Sequence, residues 1–220
     1  MKVPGIVSLT TGSLAIGLAC GVSTASAMSF SSTDDASAWQ VSMSQGGTDG
    51  QLASFSTTNF QPAVTVAGRL TSDGTEWIAN NTTGTNACCT GVWTFFVFRQ
   101  SFTLTPAEAV SANLQFQWAA DDSGEGFADR GSWKPKYSLN GGSLVAGVWD
   151  TGNTYDLGHL TTVGSGFVAG VNTLDFYVEG NGVSDGFALK SVAVVPEPET
   201  YALMLAGLGA LGFVARRRRG

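Results

Sequence analysis

Four carboxylates lie within nine residues of this sequence, at Asp121, Asp122, Glu125 and Asp129. Oxygen ligands at this density suit calcium, which takes six to eight of them at about 2.3–2.6 Å. The spacing does not match an EF-hand loop, and a solvated acidic turn is the competing interpretation. The only cofactor that the sequence predicts is therefore a structural calcium ion at these residues.

A second group of residues has the chemistry of a sugar site. Carbohydrate sites cover the apolar face of a sugar with flat rings and fix its hydroxyls with amides and carboxylates. Side chains of these types lie in or beside predicted loops, at Trp133, Asn140, Trp149, Asp150 and Tyr155. Packing of Trp133 and Trp149 at the rim of the core is the alternative interpretation.

The sequence contains little that points to catalysis. His159 is the only histidine, and no Gly-x-Ser-x-Gly elbow accompanies it. Pairs of carboxylates with glycosidase spacing arise by chance among this many acidic residues, so their number indicates nothing. Glycine loops that bind phosphate and zinc signatures are absent from the sequence. We predict that the protein is not an enzyme.

Cys88 and Cys89 are adjacent, and they are the only cysteines after residue 20. Neighbouring cysteines bridge each other only through a strained ring, so a vicinal disulfide, two free thiols and an intermolecular link are all open. No histidine or further cysteine accompanies them as a metal ligand. The pair is a candidate disulfide that would stiffen a loop.

The N-terminal end carries the features of an export signal. Lys2 precedes an uncharged apolar run at 6–22, and Ala25-Ser26-Ala27 then supplies the A-x-A pattern of a signal peptidase site. We predict a signal peptide over 1–27, removed by signal peptidase. Acylation of Cys20 as a lipoprotein is the alternative, and both processes export the chain.

The C-terminal end has three parts in a fixed order. Val195-Pro196-Glu197-Pro198 comes first, an uncharged apolar run follows at 201–215, and Arg216, Arg217, Arg218 and Arg219 come last. A helix over 201–215 would be apolar on every side and roughly 22 Å long, which is short for a hydrocarbon core of about 30 Å. The arginines would hold its C-terminal end on the cytoplasmic side. We predict a transmembrane helix over 201–215.

These three parts resemble the PEP-CTERM sorting signal of Gram-negative, biofilm-forming bacteria, over residues 196–220. The resemblance implies transient insertion into the inner membrane and cleavage near Pro196-Glu197-Pro198 by a membrane protease of the exosortase type. It also implies delivery to the cell envelope, the outer surface or the extracellular matrix.

Residues 28–195 lie between the two signals and are numerous enough for one domain with a sizeable core. They carry fifteen Asp and Glu against six Lys and Arg. Nucleic acids and anionic lipids are bound by clustered basic residues, so this charge argues against either of them as a partner. Neutral glycans and divalent cations are compatible with it.

The elements that must position these residues are short strands. Apolar runs alternate with turn residues at spacings typical of β-sandwiches, and no long amphipathic helix is evident. One helical turn is predicted after Pro106, capped by Thr105, and a tight hairpin at Asn140-Gly141. The predicted strands are 39–43, 64–70, 93–104, 114–118, 136–139, 144–149, 173–178 and 187–194.

Apolar and polar residues alternate most clearly over 114–118 and 174–178, so one face of each strand is predicted to line the core and the other to meet solvent. Four tryptophans in apolar strand contexts are predicted to be core residues: Trp39, Trp77, Trp93 and Trp118. Residues 44–61 and 79–91 lack periodicity and are predicted to form long surface loops.

Short motifs in this region resemble, in order and spacing, the galactose-binding-like jelly rolls found in many exported proteins with such tails. The matching pieces are Glu76-Trp77-Ile78, Phe98-Arg99-Gln100-Ser101-Phe102-Thr103-Leu104, residues 114–122, Ser138-Leu139-Asn140-Gly141, residues 170–178 and Gly186-Phe187-Ala188-Leu189. The resemblance implies an all-β antiparallel sandwich, a jelly roll, with carbohydrate binding as the commonest activity. The chain departs from it by an insertion at 124–135.

These patterns together predict a non-catalytic bacterial protein of the cell surface or extracellular matrix that contacts extracellular polysaccharide. A structural adhesin that acts through protein contacts is one alternative. A secreted hydrolase is the other.

Overall fold

A computed structural model describes residues 30–46, 52–85, 93–121, 134–149, 154–180, 185–194, 205–211 and 216. Within these ranges the chain is built mainly of β-strands. The elements are β1 (Trp39–Gln45), β2 (Gln61–Pro62), β3 (Val64–Leu70), β4 (Glu76–Ala79), β5 (Thr94–Leu104), α1 (Pro106–Ser111), β6 (Leu114–Ala120), β7 (Lys136–Leu139), β8 (Val145–Ala146), β9 (Thr161–Val163), β10 (Gly170–Gly180) and β11 (Phe187–Val194).

The strands form two antiparallel sheets that pack face to face. Sheet 1 has the order β2-β1-β5-β10-β7-β8, and sheet 2 has the order β3-β4-β11-β6-β9. Rings from the two sheets meet between them: the Phe176 centroid lies 5.4 Å from that of Phe116 and 4.8 Å from that of Phe187. The predicted β-sandwich is confirmed at this level.

Eight strands pair in a nested order. β4 pairs with β11, β5 with β10, β6 with β9, and β7 with β8, all antiparallel. Along the chain the first strand of this set therefore pairs with the last, the second with the next to last, and so on inward. This is the pairing of one long hairpin folded into two sheets.

Aromatic side chains fill the space between the sheets. Trp39 and Trp118, which the sequence predicts to be core residues, are 0 % and 1 % exposed and belong to this cluster. Trp77 is also buried, but it lies in a separate cluster with Val66, Ala79 and Ala119. The alternation predicted for Leu114 to Trp118 places Leu114, Phe116 and Trp118 in the core and leaves the two glutamines partly exposed.

The second predicted alternation, over 174–178, holds on one face only. Leu174, Phe176 and Val178 enter the main core as expected. Tyr177 is buried on the opposite face, where it packs with Phe55 at a centroid distance of 5.5 Å. Residues 52–60, part of a predicted surface loop, thus lie over sheet 1 and cover a face that the pattern assigned to solvent.

Several strand predictions need correction. β2, β4 and β9 were not predicted, and they are two, four and three residues long, which is too short for a periodic pattern to show. The strand predicted at 144–149 is only Val145–Ala146. β10 extends the predicted 173–178 to eleven residues.

Two local predictions are confirmed. Thr105 caps α1 in a capping box with Glu108, and Pro106 occupies its first turn. Asn140 and Gly141 have φ of 52° and 66°, and the Gly142 N–H donates to the Leu139 carbonyl. Both residues adopt the left-handed backbone conformation that a type I′ hairpin turn requires.

The sandwich has two distinct ends. At the first, which we call the loop pole, Gln45 pairs with Thr94, Thr94 with Gly180, and Ala120 with Phe187. At the second, which we call the tail pole, Leu104 pairs with Gly170 and Leu114 pairs with Val194. The long connections 80–93, 121–135 and 181–186 leave from the loop pole, and β11 ends at the tail pole.

The first described residues, 30–33, form a strap along sheet 2. The Thr33 backbone N–H donates to the Leu189 carbonyl, and its hydroxyl donates to the Glu76 carbonyl at 2.6 Å. Phe30 enters the core, where its ring centroid lies 6.1 Å from Phe102 and 5.9 Å from Phe116. The body of the fold thus begins only a few residues after the predicted signal peptidase site.

Near the C-terminus, residues 205–211 are helical and exposed. In the described part of the chain, no helix is both long and apolar enough to cross a membrane. The other residues of the predicted helix, 201–204 and 212–215, lie outside the described ranges. Arg216, which follows that helix, is described and is helical.

Candidate functional site

Trp149 is the one tryptophan of the predicted sugar site that the structure describes. Its ring is half-buried and meets Trp118 edge to face at 5.0 Å. Its indole N–H points at two backbone carbonyls, those of Trp118 and Asp156, each at 3.2 Å. The ring is therefore held in one orientation at the rim of the core, with part of its surface open to solvent.

Two glycines make room for this ring. A Cβ on Gly147 would lie 2.4 Å from Trp149 and 2.6 Å from Trp118, and a Cβ on Gly158 would lie 2.7 Å from the Trp149 Nε1. Such distances are far inside van der Waals contact, so no larger residue fits at either position without moving the indole. In the sequence, the only trace of this close packing is the pair of glycines, Gly147 before Trp149 and Gly158 after it.

Residues 154–158 are fixed to sheet 2 and to the turn after β3. The Thr154 carbonyl accepts from the Ala120 N–H, and the Gly158 N–H donates to the Trp118 carbonyl. The Asp156 carboxylate accepts from the backbone N–H and the hydroxyl of Ser72, the latter at 2.7 Å. Tyr155 is half-buried between these anchors. Asp156 thus holds this segment against the turn after β3.

Asn140 lies apart from Trp149, in the β7–β8 turn at the tail pole. Its amide donates to the Gly166 carbonyl at 3.1 Å and to the Asn172 side-chain oxygen at 2.9 Å. Its own side-chain oxygen accepts from the Thr173 N–H. The structure therefore gives Asn140 a part in locking the turn, and it does not bring Asn140 and Trp149 into one site.

Asp121 is the described member of the predicted calcium set. It is 2 % exposed and forms an ion pair with Arg69, whose guanidinium also lies 4.1 Å above the Trp77 ring centroid. The guanidinium already supplies the positive charge that a cation would bring, so Asp121 fits a calcium ligand poorly. Among the residues that the structure describes, no group of three or more His, Cys, Asp and Glu is arranged to hold a metal ion.

The other predicted site residues lie outside the described ranges. They are Ala25, Ala27, Cys88, Cys89, Asp122, Glu125, Asp129, Trp133, Asp150, Val195, Pro196, Glu197, Pro198, Arg217, Arg218 and Arg219. The calcium, sugar and disulfide assignments that involve them stay predictions.

On the outer face of sheet 1, Arg99 and Asp175 form a charged pair that the sequence did not single out. The Arg99 Nε and Nη2 atoms donate to the two Asp175 oxygens at 2.6 and 2.7 Å. The guanidinium lies 4.1 Å from the Phe60 ring centroid, and its hydrogen bonds to Asp175 raise the Arg99 pKa. The two positions are opposite each other in the β5–β10 register, a long-range pairing that spacing alone does not reveal.

Two titratable groups on β7 respond to burial. Desolvation lowers the pKa of Lys136, against the attraction of Glu179, and it raises the pKa of Tyr137. Each shift disfavours the charged form of the side chain. His159, on which a hydrolase would depend, is exposed, and its backbone N–H donates to the Val148 carbonyl.

Comparison with solved structures gives two distant likenesses. A β-glucosidase from Kluyveromyces marxianus, solved in complex with glucose, aligns with a TM-score of 0.37 and 10 % identity over 73 % of this chain and 16 % of its own. A GH31 α-xylosidase from Xanthomonas citri aligns with a TM-score of 0.32 and 8 % identity over 69 % and 13 %. At such scores neither likeness carries an argument about function, and the chain spans less than a fifth of either enzyme.

Comparison with protein families identifies the C-terminal segment. No curated protein matches the chain significantly. Residues 194–219 match the PEP-CTERM protein-sorting motif, as the sequence predicted, and this match begins at the last residue of β11. The chain therefore carries the sorting signal of an exported, envelope-associated protein that an exosortase processes.

Proposed function

We propose that the chain is a non-catalytic protein of the bacterial cell surface or extracellular matrix whose sandwich contacts extracellular polysaccharide. The sorting motif at 194–219 is the observation that carries the proposal, because such a motif indicates a secreted protein associated with the cell envelope. A signal peptide over 1–27 would start this route, and the apolar run at 201–215 would enter the inner membrane before cleavage.

The nested strand pairing supports a jelly roll. A jelly roll is a double sheet of eight strands built from two Greek keys, and folding one long hairpin produces that arrangement. The strands β4 to β11 pair in this order, while β1, β2 and β3 extend the sheets at one side. A jelly roll is also the fold that the resemblance to galactose-binding-like domains implies.

The rim around Trp149 supports contact with sugar. Its indole is pre-oriented by two hydrogen bonds and by Trp118, and a ring that is already ordered loses little entropy when a flat ligand face stacks on it. Asp150 and Tyr155 are close in sequence and would supply polar groups. The negative charge of the chain suits a neutral glycan better than an anionic one.

Binding of the mature protein to polysaccharide from its producer's matrix tests this function. Trp149→Ala should weaken retention on the polysaccharide about tenfold, the size expected when roughly 1.4 kcal/mol of stacking is lost. Leu160→Ala, at an exposed residue on the same connection, is the matched control and should bind like the parent. Thermal unfolding of both variants would separate lost binding from lost fold.

Absence of binding by the parent protein, with and without calcium, would contradict polysaccharide contact. Enrichment of envelope proteins instead of polysaccharide would favour the structural adhesin. Turnover of a glycan that survives His159→Ala would show that any hydrolase activity does not depend on the only histidine.

A further inference from the structure

The tail pole carries almost no charge. The β3–β4 turn at 71–75 leaves toward this end and carries Asp73, whose charge is paired with Lys190. The other connections at this end are 105–113, 140–144 and 164–169, and the only ionisable side chain in them is Glu108. Glu108 is 8 % exposed, and its carboxylate accepts from the Thr105 N–H in the capping box of α1. The surface that these last three segments form is therefore made of neutral residues.

Three valines on these segments or at their edge are open to solvent. Val110 on α1 is 90 % exposed, Val171 at the start of β10 is 66 % exposed, and Val168 in the preceding loop is 49 % exposed. Single exposed apolar side chains are ordinary on protein surfaces. Here they coincide with an uncharged end of the molecule and with the point where the sorting motif begins.

The loop pole differs in charge. Its described charged residues include Asp121 with its partner Arg69, Lys134, Lys136, Glu179 and Asp185, and the sequence of the connection 122–133 adds three further acidic residues and one arginine. Six acidic side chains thus stand against four basic ones at this end. β10 runs from one pole to the other over eleven residues, so the poles are roughly 35 Å apart. At physiological ionic strength that separation is several Debye lengths of about 8 Å.

The chain leaves the sandwich for the tail at the uncharged end. Val194 is the last residue of β11 and pairs with Leu114 at the tail pole. Six residues separate it from Tyr201, the first residue of the apolar run, and a fully extended connection of this length spans at most about 25 Å. β11 lies between β4 and β6 in sheet 2, so it cannot peel away from the body without opening the core.

We propose that, while the tail is in the membrane, the sandwich stands with its tail pole against the lipid headgroups and its acidic loop pole turned away. The proposal rests on the membrane insertion of 201–215 that the proposed function requires. The short connection brings the tail pole to the bilayer, the exposed valines face it, and the acidic loops stay beyond the range of repulsion by anionic lipid. The rim around Trp149 then remains accessible from outside.

Fluorescence quenching at the membrane surface tests this orientation. The precursor that retains its tail is isolated from cells lacking the exosortase and reconstituted in vesicles of phosphatidylcholine and phosphatidylglycerol that contain a headgroup-nitroxide lipid. Cys88→Ser and Cys89→Ser remove the native thiols from the mature part. One fluorophore is then attached at Val110→Cys or Val171→Cys, and at Gln45→Cys as the control, an exposed and uncharged site at the loop pole.

We expect a strong loss of fluorescence at positions 110 and 171 and little loss at position 45. Equal quenching at all three positions, or none at any of them in protein that floats with the vesicles, would overturn the orientation and leave the sorting function intact. Failure of the precursor to float with vesicles would overturn membrane insertion, and with it both proposals. Unfolding curves of the labelled variants would show that each keeps the parent fold.

Discussion

At the scale of single residues, the structure assigns packing and pairing roles to side chains whose types alone suggested binding. Asn140 has the chemistry of a sugar ligand, yet its amide is engaged by Gly166, Asn172 and Thr173. Asp121 has the chemistry of a calcium ligand, yet it pairs with Arg69. Residue type reveals what a group can bind, whereas its partner depends on register between strands far apart in sequence.

Arg99 and Asp175 should matter for stability more than any exposed ion pair. The side chain of Asp175 is 3 % exposed, so Asp175→Asn leaves the guanidinium without its counter-charge and should lower the free energy of unfolding by about 2–4 kcal/mol. Arg99→Lys keeps the charge but loses the two-pronged geometry, and should cost about 1–2 kcal/mol. Urea unfolding at neutral pH measures both.

Thr103→Ser, at an exposed position of the same strand, is the control and should change stability by less than about 0.5 kcal/mol. If Asp175→Asn unfolded at the same urea concentration as this control, the pair would contribute nothing and its assigned role would be wrong.

The contacts of Asp73 predict that the stability of the fold depends on pH. Burial acts to raise its pKa, but hydrogen bonds from Lys190, Thr71 and Thr75 outweigh it and lower the pKa well below 3.8, its ordinary value. A carboxylate whose pKa is lowered by folding stabilises the native state above that ordinary value, and the contribution is lost as the pH falls. Asp73→Asn should therefore cost about 1 kcal/mol at pH 7.

The stability difference between the parent protein and Asp73→Asn should shrink as the pH is lowered through 3.8 and beyond. Thermal melts across this range measure it. A difference that stays constant or grows in acid would contradict the assignment of the pKa shift to the folded state.

At the scale of elements, sequence periodicity predicts strands well where one face meets solvent and poorly where both faces are covered. β6 alternates as predicted because its polar positions stay partly exposed. β10 does not, because the segment around Phe55 covers Tyr177 on the outer face. β2, β4 and β9 join the sheets through long-range pairing that short windows cannot show.

The strap formed by 30–33 belongs to the domain even though it precedes the first strand. Phe30 is 7 % exposed and meets three other rings of the core, so Phe30→Ala should lower the free energy of unfolding by about 3 kcal/mol. Val110→Ala, at a 90 % exposed site, should change it by less than about 0.5 kcal/mol. Chemical unfolding of the mature protein compares the two, and equal effects would show that the strap is dispensable.

At the scale of the whole molecule, the sequence was most informative about the ends of the chain. Three ordered parts, Pro-Glu-Pro, an apolar run and four arginines, predicted a sorting motif that family comparison finds at 194–219. The sandwich was predictable from strand spacing, and the hairpin at Asn140-Gly141 from turn chemistry. The sequence did not predict that the long loops leave from one pole and the tail from the other. That arrangement depends on the direction in which each strand crosses the sheets.

We infer that both terminal signals are removed and that the residues between them form the mature protein. Intact mass of the protein recovered from the envelope or the culture medium tests it most directly. We predict a mass that lacks 1–27 and ends near Pro196-Glu197-Pro198, apart from any group attached on processing, and a mass that retains the tail in cells without the exosortase. A mass that extends to Gly220 in cells with an active exosortase would show that the sorting signal is not removed.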